Sequence, residues 1–125
     1  CSSDLFCFIT GNNDMHLKNF SLYRPSKDYQ LAPAYDLLNT TIANPKDKEE
    51  LAMTLSGRKS KLYLDDFLNT AKTIGLDNKI VLHLVKGFEK ALPKWKSLIE
   101  SSFLDEDIKK EYNKLIISRL NRLQG

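Results

Sequence analysis

A polar run follows an apolar segment near the start of the chain and reads Gly11-Asn12-Asn13-Asp14-Met15-His16-Leu17-Lys18-Asn19-Phe20-Ser21. A second run comes shortly after it and reads Ala32-Pro33-Ala34-Tyr35-Asp36-Leu37-Leu38. Between the two runs, alternating residues on either side of a Pro-Ser-Lys-Asp turn predict a β-hairpin. The hairpin would bring three oxygen-bearing side chains together at its base, those of Asp14, Asn19 and Asp36.

The spacing of these side chains favours phosphoryl transfer. In kinase catalytic loops an Asp that orients the acceptor hydroxyl precedes a Mg²⁺-binding Asn by five residues, and a second metal-binding Asp lies further along. Asp14 and Asn19 have this spacing, and Asp36 follows the hairpin. Mg²⁺ prefers hard oxygen ligands, and nucleotide phosphates and water complete its shell. The pattern predicts a Mg²⁺ and ATP site in which Asp14 accepts a hydrogen bond from the substrate hydroxyl.

Each acidic residue taken alone has a simpler interpretation. Asp14 lies in an Asn-Asn-Asp run that is typical of a turn or a helix N-cap, because short polar side chains satisfy nearby backbone amides. Asp36 could cap a short helix that starts at Leu37. Three independent turns at kinase spacing are less expected than one site, so the conjunction favours the catalytic interpretation.

At these residues the sequence resembles the HipA-like serine/threonine kinases, the toxins of bacterial toxin–antitoxin modules. The catalytic loop of that family reads approximately Gly-Asn-x-Asp-x-His-x-x-Asn-Phe-Ser, which residues 11–21 match. Its metal segment reads approximately Leu-Ala-Pro-x-Tyr-Asp-Leu, which residues 31–37 match. Residues 51–67 are also similar to the family.

The resemblance implies roles for four residues. Asp14 would be the catalytic Asp, and Asn19 and Asp36 would bind Mg²⁺ and through it the cofactor ATP. His16 would be the loop histidine that packs and hydrogen-bonds beneath them. The fold implied is mainly α, the C-terminal lobe of a protein-kinase-like fold, with a helical bundle and a small β-hairpin after the catalytic loop.

The resemblance also implies partners and a location. The substrate would be a protein of the translation machinery with a Ser or Thr acceptor, and a DNA-binding antitoxin would be a partner. The protein would act in the bacterial cytoplasm.

Two parts of a complete kinase have no counterpart in the sequence. The five glycines are scattered, so no phosphate-covering glycine-rich loop is formed, and no Val-Ala-x-Lys segment supplies a nucleotide-binding lysine. We therefore expect a single domain over 1–125, the C-terminal catalytic subdomain of a longer kinase whose N-terminal lobe is missing. Within it we expect the loop, hairpin and metal segment in 1–40, a loop with short strands in 41–64 and a helical bundle in 65–125. Alone, such a fragment is expected to be inactive.

Composition limits the remaining classes. The chain has 125 residues, a net charge of +3 and a pI near 8.8, a balance too weak to favour direct nucleic-acid binding. No apolar run approaches the roughly 20 residues that cross a bilayer, so no membrane contact is expected. If Cys1 and Cys7 share a helix, they lie too far apart for a disulfide. The absence of a Cys/His cluster argues against zinc.

Hydrophobic periodicity predicts four helices. The first covers Asp4 to Ile9, the second runs from Asp65 or Asp66 to Gly75, and the third begins near Asp77 and kinks or breaks near Leu92 because of Pro93. His83 lies off the apolar stripe and reads as a surface residue. The last helix covers about 105–123, with an apolar side and a basic side formed by Lys109, Lys110, Lys114, Arg119 and Arg122. The basic side is interpreted as solvated, or alternatively as a contact for DNA or an acidic antitoxin.

Between the hairpin and the second helix the sequence predicts irregular structure. Residues 39–50 read as a mobile surface loop, and residues 51–55 as a short edge strand. The basic cluster Arg58, Lys59 and Lys61 is interpreted as a solvated turn, or alternatively as a contact for a nucleotide, substrate or partner phosphate.

Two other functions remain open. A small-molecule kinase of the aminoglycoside or choline type also carries an Asp-x-His-x-x-Asn loop, although the context of Asp36 favours the HipA-like interpretation. A helical interaction module could keep the loop sequence without its chemistry.

Overall fold

The computed structural model describes residues 2–124, which are mainly helical, as predicted. The first helix, α1, is followed by a 3₁₀ turn, a two-stranded hairpin and four further helices. Their bounds are α1 Ser2–Thr10, the 3₁₀ turn Leu17–Asn19, β1 Leu22–Tyr23, β2 Gln30–Leu31, α2 Thr40–Ala43, α3 Leu64–Thr73, α4 Asn78–Glu100 and α5 Glu106–Asn121.

The first helix lies in the core and ends at residues 11–21, the predicted catalytic loop. Its apolar residues Leu5, Phe8 and Ile9 are fully buried, and α1 packs against both α4 and α5. Burial of apolar surface on this scale drives the packing. Burial, assisted by the charge of Asp4, raises the pKa of the Cys7 thiol to about 11. Cys1, the other cysteine of the sequence, lies outside the described residues.

Helices α3, α4 and α5 form the bundle that the periodicity predicts. Gly75 follows α3 with a φ of +78°, a conformation that favours glycine, and Asp77 caps α4 by accepting a hydrogen bond from Lys79 N at 2.8 Å. Of the kink or break predicted near Leu92, the break is wrong, because α4 continues through Pro93. Pro93 lies on the exposed side, where water can bind the carbonyl that its missing N–H leaves unpaired.

The predicted hairpin forms, with short antiparallel strands that pair Leu22 with Leu31 and Tyr23 with Gln30. Its apolar residues remain exposed, Leu22 at 66% and Leu31 at 62%. The predicted edge strand over 51–55 is wrong, since this segment forms only one isolated bridge, from Leu55 to Arg58. Its Leu51, Ala52 and Leu55 are buried instead, so core packing holds the segment without a strand partner.

The predicted solvated basic side of α5 is wrong for part of the helix. Arg119 is only 6% exposed, and Lys109 is buried and binds Glu106 at 2.9 Å. The guanidinium groups of Arg119 and Arg122 lie over the ring of Phe8, at 4.7 and 5.2 Å from its centroid. Cations stacked on an aromatic face retain a favourable interaction when they leave water.

No helix within residues 2–124 has both the length and the apolar character that crossing a bilayer requires.

Candidate functional site

The structure brings three of the four predicted site residues together, Asp14, Asn19 and Asp36. The amide nitrogen of Asn19 donates to Asp36 Oδ2 at 3.2 Å and to the backbone carbonyl of Asp14 at 3.1 Å. Asn19 closes the 3₁₀ turn before the hairpin, and Asp36 follows the extended segment after it. The hairpin thus returns the chain to its own base, so residues far apart in sequence meet there.

The orientation of the Asn19 amide leaves one oxygen for a cation. Because Nδ2 faces two acceptors, Oδ1 is the end of the side chain that has no hydrogen bond within residues 2–124. A carboxylate and an amide oxygen are ligands that suit Mg²⁺. No three His, Cys, Asp or Glu residues of the described chain form a metal-binding group. A cation at this position would therefore take its remaining ligands from water or nucleotide phosphates.

The backbone of Asp14 is held while its carboxylate remains accessible. Its N–H donates to Asn12 Oδ1 at 3.1 Å, and its carbonyl accepts from His16 N at 2.8 Å as well as from Asn19. The side chain is 54% exposed. This arrangement suits a proton acceptor, because the main chain is fixed and the exposed carboxylate can reach a substrate.

The resemblance implied that His16 packs beneath the site, but in the structure it does not. Its side chain is 49% exposed, and its Nε2 lies 3.4 Å from Asp14 Oδ1. The backbone at His16 is extended, so successive side chains point to opposite sides. Met15 takes the buried position, at 7% exposure, and Asp14 and His16 share the outer side.

Asp36 has an unusual backbone conformation. Its φ of +57° lies in the left-handed region, which Asp and Asn adopt more readily than other side-chain-bearing residues. Two contacts hold the segment: Asn12 Nδ2 donates to the Asp36 carbonyl at 3.3 Å, and the Tyr35 hydroxyl donates to the Lys18 carbonyl at 3.2 Å. Strain of this kind persists where surrounding contacts determine the conformation.

Asn12 is a site residue that the sequence reasoning missed. It is 1% exposed, and its amide bonds both to Asp14 and to Asp36. The family motif contains this asparagine, but the sequence alone does not indicate that the side chain is buried between the two acidic residues.

The segment predicted as a mobile loop instead holds the catalytic loop. Its first part is α2, which Asn39 caps by accepting from Ile42 N at 3.0 Å. The carbonyl of Gly11 lies 3.0 Å from both Thr40 N and Thr41 N, and Thr40 Oγ1 accepts from Asn13 N at 2.8 Å. The side chain of Asn13 also contacts Thr40, and its Nδ2 donates to the Glu49 carbonyl at 3.0 Å.

The far end of the same segment is held by an ion-pair cluster. Arg122 donates to both carboxylate oxygens of Glu50, at 2.7 and 2.9 Å, and Arg119 lies 3.6 Å away. Burial works to raise the pKa of Glu50, but the hydrogen bonds from Arg122 and Leu62 N and the charges of both arginines outweigh it. The pKa of Glu50 is therefore lowered.

The basic cluster after residue 57 forms ion pairs within the protein. Arg58 binds the buried carboxylate of Asp66, and Lys59 Nζ lies 3.1 Å from Glu49 Oε2. Lys61 is exposed. Two of the three cations are thus already paired, which favours the simpler of the two predicted interpretations.

A largely apolar groove of about 430 Å³ is lined in part by Asn19. Its lining includes Phe6, Met15, Phe20, Ala32, Leu37 and Phe88. Together with the exposed hairpin, it forms an apolar surface beside the candidate site.

Comparison with known proteins bears on the family. The sequence matches the model of the HipA-like C-terminal domain over residues 2–95. That match contains the catalytic loop, the hairpin, the Asp36 segment, α2 and α3.

Two curated relatives carry names that refer to kinases. A Haemophilus influenzae protein named "Putative kinase" is 28% identical over an alignment of 94 residues that covers 62% of this chain and 27% of that protein. "Putative kinase Y4dM" of Sinorhizobium fredii is 35% identical over 80 residues, 62% of this chain and 20% of its own length. The chain spans about a quarter or less of these relatives. The chain belongs to the HipA-like C-terminal domain family.

Proposed function

We propose that this chain is the catalytic-loop part of an ATP- and Mg²⁺-dependent protein serine/threonine kinase. The observation that carries the proposal is the convergence of Asn19 on Asp36, at 3.2 Å, and on the backbone carbonyl of Asp14, whose side chain is exposed. The kinase names of the relatives support the same reaction class. By the family resemblance, the protein acts as the toxin of a bacterial toxin–antitoxin pair.

Asp14 is the residue that meets the acceptor. Its carboxylate accepts a hydrogen bond from a Ser or Thr hydroxyl and takes its proton as the oxygen attacks the γ-phosphoryl group of ATP, whose bond to the β,γ-bridging oxygen breaks so that ADP leaves. A general base of this kind contributes roughly 10² to 10⁴ in rate. The three hydrogen bonds to the backbone of Asp14 hold its main chain in place during that transfer.

Asp36 and Asn19 are the residues that hold the cation. Asp36 supplies a carboxylate oxygen, and Asn19 supplies Oδ1 because its nitrogen is engaged. Mg²⁺, when bound, neutralises charge on the oxygens of the transferring group. His16, 3.4 Å from Asp14, orients that carboxylate toward the acceptor.

The nucleotide requires contacts that residues 2–124 do not supply, and the proposal assigns them to an N-terminal lobe. The apolar residues left exposed on the hairpin, with the groove beside Asn19, form the surface where that lobe packs. The relatives are at least three times longer than the matched segment, which supports such a lobe. The isolated fragment is accordingly inactive.

The test uses the full-length protein that contains this chain, with γ-labelled ATP and Mg²⁺. Label on serine or threonine of a protein acceptor, absent in Asp14→Asn and present in the exposed control Asp28→Asn, supports the proposal. Label on an aminoglycoside or choline without protein labelling would replace it with the small-molecule kinase. Failure of the full-length protein to bind ATP in the presence of Mg²⁺ would instead indicate a non-catalytic module.

The proposed function also includes a protein partner. A DNA-binding antitoxin is proposed from the family resemblance, and co-purification of the full-length protein with the product of an adjacent gene would test it.

A further inference from the structure

We infer that Asn12 is a positioning residue that fixes the separation of Asp14 and Asp36. The inference rests on the proposed phosphoryl transfer, and it assigns to Asn12 a role in cation affinity as well as in rate. Asn12 itself has no contact with substrate or cation in this assignment.

The contacts of Asn12 join the two acidic residues through the backbone. Its Oδ1 accepts from Asp14 N at 3.1 Å, and its Nδ2 donates to the Asp36 carbonyl at 3.3 Å. Its own N–H donates to the Cys7 carbonyl at 2.9 Å, which attaches the link to the end of α1. One buried residue therefore connects a core helix, through its backbone, with the predicted base and a predicted metal ligand, through its side chain.

The link does not compete with the chemistry of the site. Asn19 also contacts both acidic residues, but it does so through the Asp36 carboxylate, an atom that a cation would bind. The Asn12 side chain contacts main-chain atoms alone, so it occupies no carboxylate oxygen that the acceptor or the cation would use. The separation of Asp14 and Asp36 can thus stay constant when ligands arrive.

The residue type suits this role because the link needs one acceptor and one donor at the end of a short side chain. Aspartate would keep the acceptor for Asp14 N and lose the donor to the Asp36 carbonyl. Alanine would lose both. A buried carbonyl without its donor is costly, so Asp36 is expected to shift from its left-handed conformation in either variant.

Asn13 offers a matched control in the next position. It is also buried, at 9% exposure, and its amide bonds to Thr40 and to the Glu49 carbonyl rather than to Asp36. Asn13→Asp therefore makes the same chemical change at a similar depth. It is expected to lower the stability of the fold by a similar amount while the hydrogen bonds of Asn12 are kept.

The experiment compares Asn12→Asp, Asn12→Ala and Asn13→Asp in the full-length protein. The first measurement is hydrogen exchange of the peptide that carries the Asp14 amide, in metal-free protein. The second is Mn²⁺ affinity in the presence of ATP, by titration. The third is the separation of kcat from the KM for the acceptor, and thermal unfolding reports stability.

The expected results distinguish the hydrogen bond of Asn12 with Asp14 N from its hydrogen bond with the Asp36 carbonyl. Asn12→Asp lowers Mn²⁺ affinity by about 10- to 100-fold, the usual effect of losing a group that orients a metal ligand, while exchange at Asp14 stays slow. Asn12→Ala lowers Mn²⁺ affinity and speeds exchange. Both lower kcat and leave the KM for the acceptor unchanged. Asn13→Asp lowers the unfolding temperature and leaves Mn²⁺ affinity at the wild-type value.

Three results would overturn the inference. One is equal loss of Mn²⁺ affinity in Asn12→Asp and Asn13→Asp, another is unchanged affinity in both Asn12 variants, and the third is unfolding of both Asn12 variants while Asn13→Asp folds. A wild-type protein that transfers no phosphate would sink the proposed function instead. Exchange at Asp14 and Mn²⁺ affinity would then still test the link.

Discussion

Arg122 binds Glu50 through two hydrogen bonds, at 2.7 and 2.9 Å, across 72 residues of sequence. Arg122 also donates to the Leu62 carbonyl, and its guanidinium group lies over the rings of both Phe8 and Tyr63. The C-terminal helix is thereby attached to α1 and to the segment that follows α2. Because Glu49, the neighbour of Glu50, accepts from Asn13, the attachment lies next to the catalytic loop.

Glu50→Gln is expected to destabilise the fold by about 3 kcal/mol, since it leaves two arginines partly buried without their counter-charge. Chemical denaturation of the full-length protein measures the change. Glu111→Gln, at an exposed position of α5, is the control and is expected to have little effect. Equal stability of the two variants would contradict the assigned role of the ion-pair cluster.

Stability is also expected to fall in acid because of Glu50. Its pKa is lowered in the folded protein, so its contribution is present above the ordinary glutamate value of 4.5 and is lost as the pH falls through the lowered pKa. Thermal unfolding between pH 7 and pH 3 tests this, and Glu50→Gln should flatten the acid limb. An identical pH profile in wild type and variant would argue against it.

Asp14→Asn should lower phosphoryl transfer by roughly 10² to 10⁴, because the amide cannot take the acceptor proton. The exposed side chain makes the fold tolerant of the change, so the unfolding temperature should stay near the wild-type value. Steady-state labelling with Asp28→Asn as control measures the rate. Undiminished transfer would refute the assignment of Asp14.

Asp36→Asn should weaken Mg²⁺-dependent nucleotide binding by about tenfold or more, because a metal ligand matters at least as much as the groups that orient it. Calorimetric titration of the full-length protein with ATP, with and without Mg²⁺, separates this from general loss of affinity. Asp65→Asn, on the exposed start of α3, is the control. Equal Mg²⁺ dependence in both variants would remove Asp36 from the site.

Gly11→Ala should destabilise more than Gly57→Ala. Both glycines have positive φ, of +76° and +77°, and a side chain there costs about 1–2 kcal/mol. At Gly11 the added Cβ would lie 2.6 Å from Leu115 Cδ2 and 3.0 Å from Asn39 Oδ1, whereas nothing lies within 4 Å at Gly57. Overpacking adds about 1–3 kcal/mol at the first position alone. Chemical denaturation of both variants measures the free energies of unfolding. Equal losses of stability would contradict the close packing of Leu115 and Asn39 on Gly11.

The elements that sequence predicts well are those with a local signal. The apolar run of α1, the turn residues of the hairpin and the periodicity of α3 to α5 each depend on neighbouring residues, and each element is present. The proximity of Asn19 and Asp36 was predictable for the same reason, since a hairpin returns the chain to its starting point. Whether the three residues act in phosphoryl transfer stays a prediction.

The errors share a different cause, namely dependence on distant partners. Arg119 reads as a solvated cation until Glu50 and Phe8 are placed beside it. Residues 40–43 read as a loop because their helix is held by Gly11, about 30 positions earlier. Asn12 was not predicted as a site residue, because its role depends on burial between two segments that the sequence does not place together.

The side chain of Leu115 packs close to Gly11, which has a practical consequence for the design of shortened versions of the protein. The family match ends at residue 95, ahead of α5. A version trimmed to that boundary would keep every predicted site residue and discard the arginines that hold Glu50, together with the side chain that covers the catalytic turn. Recombinant work should therefore retain the chain through Leu123, whose side chain is 2% exposed.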